Sequence, residues 1–540
     1  MRRAHNQMNA RGQFYCSGGS SLYNPASPAP RRFAQRADVM SQSIEEPPRN
    51  GGVLGRGSPA RAMSLVTLAW VFGSVWMTAT SGAPLTQFAR SLGASNFQFG
   101  LLAALPFIAS LLSLPASVLI DRTGKRKRIF LWGLYAQRVL WIPIALAPVW
   151  MIYRAGTSAA PAALVLSLWL IFLMHAMAAV GSPAWVSWMA DLVPERVRGK
   201  YFSRRRQWGI LSAIPAAWIA GWLLDRPQVT GATNAGFITI VCCAIIFVCA
   251  AIFGIVDIAM FHFVDEIPVS PHPKASLFKS FAAPLRNRSF LWFGGFVATL
   301  TFAVSFMGQF LTLFLIEKLH ISNRSTQMML LIAPMIAQLI TLPAWGAAVD
   351  RFGKRPVLAI SALALVPVAF GWCLMNGSTV NGYGTLAIWM GYALAAAGAA
   401  LWAGVEVANF NLVLEFSGSD EHGAPGSSYV AVNSVIVNLA GCAGGLDSGL
   451  VAQSLKNWAW ETGFASLGTF SFYEVLFVLS GALRLLSVVI FLPRIHEPQA
   501  RPAREALRFM TANIHNNLFS AAFVPLRMVG IGRQEKMRQG

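Results

Sequence analysis

The stretch DRTGKRKR at residues 121–128 stands between two long apolar runs, and nearly the same phrase returns as DRFGKR at residues 350–355. Working outward, LPFIASLLSLPA at 105–116 aligns with APMIAQLITLPA at 333–344, and seven of the twelve positions are identical. Just ahead of these, LGASN at 92–96 parallels LHISN at 319–323. The order of features is kept throughout, so the chain reads as two related halves. The phrase itself has turn chemistry, with Asp at the first position and Gly at the fourth of a type I turn, and its basic cluster anchors that turn in water beside anionic headgroups.

The apolar surroundings define the solvent. Of 540 residues, 55% are hydrophobic and only 12% charged, with a mean hydropathy of +0.52. A soluble domain carries roughly 25% charged residues. Twelve apolar runs are long enough to cross a hydrocarbon layer ~30 Å thick as helices. They fall near 64–88, 97–120, 129–152, 161–191, 206–225 and 236–262, then 290–316, 325–349, 356–376, 384–416, 428–454 and 471–493. The expected class is an all-α integral membrane protein, since lipid forces each backbone amide to be satisfied within a helix. The expected organisation is a basic, disordered tail over 1–60, a six-helix half over 61–263, a Pro-containing loop over 264–289, a second half over 290–493 and a basic tail over 494–540. The last tail reads equally as disordered or as an amphipathic surface helix.

Charge placement sets the expected orientation. The net charge is +21, yet the basic residues flank apolar runs, which points to membrane loops and away from nucleic acid. One set of alternating loops holds eighteen Lys and Arg residues and the opposite set six. The first set, both DRxG loops and both termini are therefore expected in the cytoplasm, and the membrane is expected to be the plasma (inner) membrane. Five of the six cysteines lie inside apolar runs, where they act as small hydrophobes, and no CxxC pattern suggests a metal. No cofactor is expected.

The two phrases with their helices, SVLIDRTGKRKR and GAAVDRFGKRP, resemble the loop signature of the major facilitator superfamily, G-x-x-x-D-R-x-G-[RK]-[RK]. Gly346, Asp350, Arg351, Gly353, Lys354 and Arg355 match throughout. Asp121, Arg122, Gly124, Lys125 and Arg126 match too, with Ser117 in place of the first glycine. The resemblance implies twelve helices in two pseudo-symmetric halves, a substrate site between them, and alternating access by rocking. It also makes the DRxG loops parts of a latch on the cytoplasmic side, where helices 2 and 11, and 5 and 8, meet. The segment ADLVPERVRGKYFSRRR at 190–206 reads as a related loop, with Asp191 and Glu195 near Arg198 and a turn at Gly199.

Ionisable residues at bilayer depth are costly and are functional suspects. The candidates are Arg138, His175, Asp257, Glu406, Asp447 and Arg484. Glu406 leads: Trp402, Glu406 and Asn409 share one helix face, on the tenth helix, which the resemblance places on the central cavity. It reads as a proton-coupling carboxylate or as the partner of a cationic substrate, with a neutral or ion-paired structural Glu as the alternative. Arg138 and Asp257 are expected to form a structural pair. His175 is a candidate proton relay, Asp447 is expected near the extracellular mouth, and Arg484 has no evident partner. The tryptophans, Trp185 and Trp188 among them, read as interface or packing residues.

The leading expectation is a monomeric secondary transporter of a small molecule, coupled to protons, since no P-loop for ATP is present. A uniporter, a transporter-derived sensor and a polytopic membrane enzyme are the alternatives, and neither HExxH nor GxSxG supports the enzyme. A C-terminal fluorescent-protein fusion is expected to fluoresce and a C-terminal alkaline phosphatase fusion to be inactive; the reverse pattern overturns the assigned orientation.

Overall fold

A computed structural model describes residues 59–229, 234–266, 284–375, 384–418, 427–463 and 468–495, together with 497, 504, 505 and 508. The readings made for the N-terminal tail, for most of the central loop and for most of the C-terminal tail lie outside these residues. Eleven helical segments are long and apolar enough to cross a membrane. One of them, Arg126–Leu192, runs for 67 residues, yet Arg126 near its start and Asp191 near its end form an ion pair at 2.6 Å. The segment therefore doubles back, at the short 3-10 turn Gly156–Ala159, and the described chain makes twelve spans.

In the first half, α1 is Pro59–Ala79 with its continuation Ala83–Ser91, and α2 is Asn96–Ser110 with Ser113–Thr123. Next come α3 (Arg126–Val139 with Trp141–Ala155), α4 (Ala160–Leu192), α5 (Glu195–Val229) and α6 (Ala235–Met260). The second half comprises α7 (Arg288–Ser305 with Gly308–Leu313), α8 (Asn323–Gln327 with Ala333–Phe352), α9 (Lys354–Gly371), α10 (Gly384–Gly418), α11 (Ser427–Ser454) and α12 (Phe472–Phe491). A two-residue hairpin, β1 Trp460–Glu461 with β2 Thr469–Phe470, links α11 to α12. The sequence repeat becomes a repeat of packing. α1 packs on α5 and α6, α3 on α4 and α6, and α2 on α4; α7 packs on α11 and α12, α9 on α10 and α12, and α8 on α10. Across the halves, α2 meets α11 and α5 meets α8.

Two sequence readings are corrected by the backbone. Asp121 and Arg122, and Asp350 and Arg351, are among the last residues of helices rather than the opening of a type I turn. The glycines end those helices with positive φ, 65° at Gly124 and 99° at Gly353, a conformation that costs a residue with a Cβ more than it costs glycine. The segment from 195 to 206 is not a loop either, because α5 begins at Glu195 and only Val193 and Pro194 separate it from α4. Gly199 is helical, with nothing within 4 Å of an added Cβ. Arg205 and Arg206, counted as loop cations, therefore lie on a spanning helix.

The hydrophobic core divides unevenly along the bundle. At the end opposite the DRxG loops, one cluster runs through both halves, from Phe88, Phe99 and Phe247 to Phe310, Phe314 and Phe477. At the loop end there are two clusters, one around Ile120, Phe130 and Trp188 and the other around Phe290, Trp345 and Tyr429. Each stays within its own half. Where α2 crosses α11, Gly100, Gly445 and Gly449 let the backbones touch: a Cβ on Gly100 would stand 2.5 Å from the Gly449 Cα, so small residues set the approach. Gly100→Leu is expected to force the helices apart and cost about 1–3 kcal/mol, seen as a lower unfolding temperature of the purified protein; an unchanged temperature would refute the close contact.

Candidate functional site

At the far end the halves are tied by hydrogen bonds that begin with the two LxxSN phrases. Ser95 and Ser322 cap α2 and α8, each accepting a backbone N–H from three residues on. The asparagine that follows each serine crosses the interface. Asn96 Nδ2 donates to the Ala452 carbonyl at the end of α11 (2.9 Å). Asn323 donates from its backbone N and from Nδ2 to Asp225 Oδ1 on α5, at 2.7 and 3.0 Å. Asp225 thus sits at the N-terminus of α8, where the helix dipole favours a carboxylate. Gln87 Nε2 donates to Asn323 Oδ1 (2.7 Å). One turn on, Gln327 accepts from the Ala83 backbone N–H and donates to the carbonyls of Thr78 and Ser81. Arg90 pairs with Glu317 across the halves at 2.9 Å. The sequence reading places an interhelical latch at the DRxG loops and does not single out Asp225, Gln327 or Gln87; the signal for them is the repeated Asn after a capping Ser.

At the loop end the charged pairs remain inside each half. Arg126, only 2% exposed, donates from Nη1 to Asp191 Oδ2 and to the Ser187 hydroxyl and carbonyl. Lys354 Nζ meets Glu415 Oε2 at 2.8 Å. Glu266, beyond α6, accepts from the Lys127 backbone N–H (2.9 Å), and Glu497, beyond α12, accepts from those of Lys354 and Arg355 (3.0 and 2.7 Å). The same cap therefore holds the first turn of α3 and of α9. Arg198 donates to the carbonyls of Ala190 and Val193, while Asp191 is taken by Arg126; the Glu195 side chain lies outside the described residues. Asp121 and Asp350 are exposed, and their side chains make no hydrogen bond among the described residues. Lys125 donates its backbone N–H to Thr123 Oγ1, and Gly346 has nothing within 4 Å of an added Cβ. Neither Asp121 nor Asp350 closes a latch in this conformation.

Within the spans, the structure brings Arg138 and Asp257 together. Arg138 Nη2 lies 3.0 Å from Asp257 Oδ2, both side chains are 8% exposed, and Nη1 donates to Gln137 Oε1. The guanidinium also lies 3.4 Å from the centroid of the Trp76 ring, a cation–π contact strengthened by desolvation. Trp402 Nε1 donates to Glu406 Oε1 at 3.1 Å, and Glu406 is exposed. Asn409 does not join them, and its Oδ1 is buried without a hydrogen bond. His175 is half-buried on α4 and makes no hydrogen bond among the described residues. Asp447 is exposed, on a different face of α11 from the glycines that pack on α2.

Two adjoining cavities lie beside these groups. The first, of about 360 Å³, is bounded by Trp70 and Ser74 of α1, Arg205 and Arg206 of α5, and Met335 of α8. The Arg205 guanidinium stands 4.2 Å from the Trp70 ring centroid and 5.0 Å from that of Trp185, so Trp185 does more than fill space, whereas Trp188 is fully buried among Phe130 and Phe261. The second, of about 300 Å³, lies inside the second half between Met307, Gln338, Trp372, Trp402 and Arg484. Arg206 donates from Nη2 to Gln338 Oε1, which joins the two across the halves. Among the described residues no three His, Cys, Asp or Glu side chains gather to hold a metal.

A family profile described as "Major Facilitator Superfamily" matches residues 65–445. The chain belongs to the major facilitator superfamily. Solved structures agree on the fold. A point mutant of the nucleoside transporter NupG superposes with a TM-score of 0.55 at 14% identity over 81% of this chain and 100% of that one. A bacterial homologue of the iron transporter ferroportin, in an inward-facing state, gives 0.56 at 15% over 82% and 100%. A bacterial homologue of the human lysosomal transporter Spinster, inward-facing and unoccupied, gives 0.52 at 16% over 86% and 98%. A comparison with curated proteins returned no match. This superfamily protein is thus an all-α, multi-pass membrane protein of a transporter family.

Arg138→Leu or Asp257→Leu alone is expected to destabilise the protein by about 3–5 kcal/mol, because each leaves a buried charge unpaired, whereas the double apolar variant recovers most of the loss. Denaturant unfolding of the three purified variants checks this. A double variant no better than the worse single one would show that the pair is not the source of the effect.

Proposed function

We propose that this protein is a secondary active transporter that moves a small molecule by alternating access, coupled to protons, as a monomer in the plasma (inner) membrane with both termini cytoplasmic. The observation that carries this reading is the asymmetry between the two ends of the bundle. The Asp225–Asn323–Gln87 and Gln327 hydrogen bonds and the shared hydrophobic cluster join the halves at one end. The clusters and ion pairs at the DRxG end stay within their own halves. With the basic loops inside, this is a conformation closed outside and parted inside. Rocking would exchange it for one in which the exposed Asp121 and Asp350 take partners across the interface. The joined end is held by hydrogen bonds worth about 0.5–1.5 kcal/mol apiece, a strength that biases a state without locking it.

Coupling is assigned to Glu406. Its carboxylate is exposed and accepts from Trp402, whose indole lines the cavity that Gln338 links to Arg206. A carboxylate hydrogen-bonded to a residue of that wall can take a proton from one side and release it to the other as its surroundings change. Proton uptake into proteoliposomes, followed with an interior pH dye over a panel of solutes, tests the reading. The expected result is a solute that moves protons with the wild type and moves none with Glu406→Gln. Proton flux that persists in the variant would remove Glu406 from the coupling step, and solute uptake without any proton movement would replace coupling by facilitated transport.

A further inference from the structure

Arg484 is the one intramembrane arginine of the candidates for which the chain supplies no carboxylate among the described residues. It sits on α12, 6% exposed, with Nη1 donating to the Leu365 carbonyl at 3.1 Å and Nη2 pointing at the Met307 sulfur at 3.3 Å. A thioether is a weak acceptor. Nε has no hydrogen bond, as in Arg138, so the difference between the two lies at the Nη atoms. Arg138 is buried to a similar degree, and there the fold provides Asp257 at 3.0 Å. A guanidinium stays protonated, and an unpaired buried charge is strongly destabilising. Such a group persists in a membrane span where a function requires it. Arg484 lines the 300 Å³ cavity of the second half, so the missing anion has room.

We propose that the cavity around Arg484 binds the carboxylate of a small organic acid, and that this acid is the transported substrate. The second clause rests on the transporter reading above. The planar fork of Arg484 matches a carboxylate in a two-bond arrangement. The rest of the lining selects the body of the molecule. Leu365, Leu394, Trp372 and Trp402 present apolar and aromatic walls, and Gln338 adds a polar group on the side toward Arg206. One cation and mostly apolar walls suit a monoacid with a hydrocarbon or aromatic body better than a phosphate or a polyacid. The volume is at the lower limit of small-molecule pockets, ~300–1,000 Å³, which suits a molecule of benzoate size. Arg205 and Arg206 line the adjoining cavity between the halves, so an incoming anion meets cations before it reaches Arg484.

The test uses the full-length protein purified in detergent, with acetate, butyrate and benzoate as probes, their neutral amides as controls, and chloride and phosphate as inorganic anions. The expected result is a saturable rise in unfolding temperature with butyrate or benzoate and none with the matching amide. Arg484→Gln is expected to lose the rise, and Arg484→Lys to retain it with at least about tenfold weaker affinity, because a point charge replaces the two-bond fork. No response to any carboxylate, an equal response to the amide, or an equal response to chloride or phosphate overturns the proposal. So does an unchanged response in Arg484→Gln; if that variant does not fold, undiminished affinity in Arg484→Lys overturns it equally. Uptake of the responding acid into proteoliposomes separates the two readings. Arg484-dependent binding without uptake leaves the site and removes transport, whereas uptake that survives Arg484→Gln leaves transport and removes the site.

Discussion

Hydrocarbon gives a charge nothing to bond to, and the architecture follows from how each polar group in the spans escapes that condition. Backbone amides are satisfied within helices. Arg138 is paired with Asp257 and held by Gln137 and the face of Trp76. Two cations of the sparsely charged end are drawn into pairs, Arg90 with Glu317 and Lys318 with Glu474. At the loop end Arg126 is paired with Asp191 and Lys354 with Glu415. Arg484 alone among these is held by a carbonyl and a sulfur, and it lines a cavity.

The same economy of polar contacts distinguishes packing inside each half from packing between the halves. Inside each half, helices interlock through aromatic clusters and capped helix starts, and the loops contribute caps rather than cross-links. Between the halves the contacts include close glycine-mediated packing of α2 on α11, a shared hydrophobic cluster, and a short chain of amide and carboxylate hydrogen bonds around Asn323. None requires the helices to deform in order to part. A small set of directional bonds joins the halves at one end, and separate cores stand at the other.

Much of this is legible in the chain. Twelve apolar runs and their doubled punctuation determine the membrane class, the two-half repeat and the superfamily, because hydropathy and repeat are properties of the sequence itself. Partnership across sequence distance is harder to read. Arg138 and Asp257 can be paired from their shared depth on neighbouring helices, but Trp76 and Gln137 give no signal, since an indole and an amide are unremarkable in an apolar run. Arg205 and Arg206 read as loop residues because three successive arginines outweigh the helical pattern that follows them. The glycines of the DRxG phrases read as turn residues and instead end helices, since a sequence shows only that glycine is wanted and not which backbone reversal wants it.

By itself the sequence determined the solvent, the number of spans and their grouping into halves, all of which depend on neighbours along the chain. Only the tertiary structure decided which end is joined, that Asp191 belongs to Arg126 and Asp225 to Asn323, and that Arg484 faces a cavity without a carboxylate. Those are questions of distance between helices remote in sequence. Burial and pairing belong to a conformation; hydropathy and repeat belong to the chain.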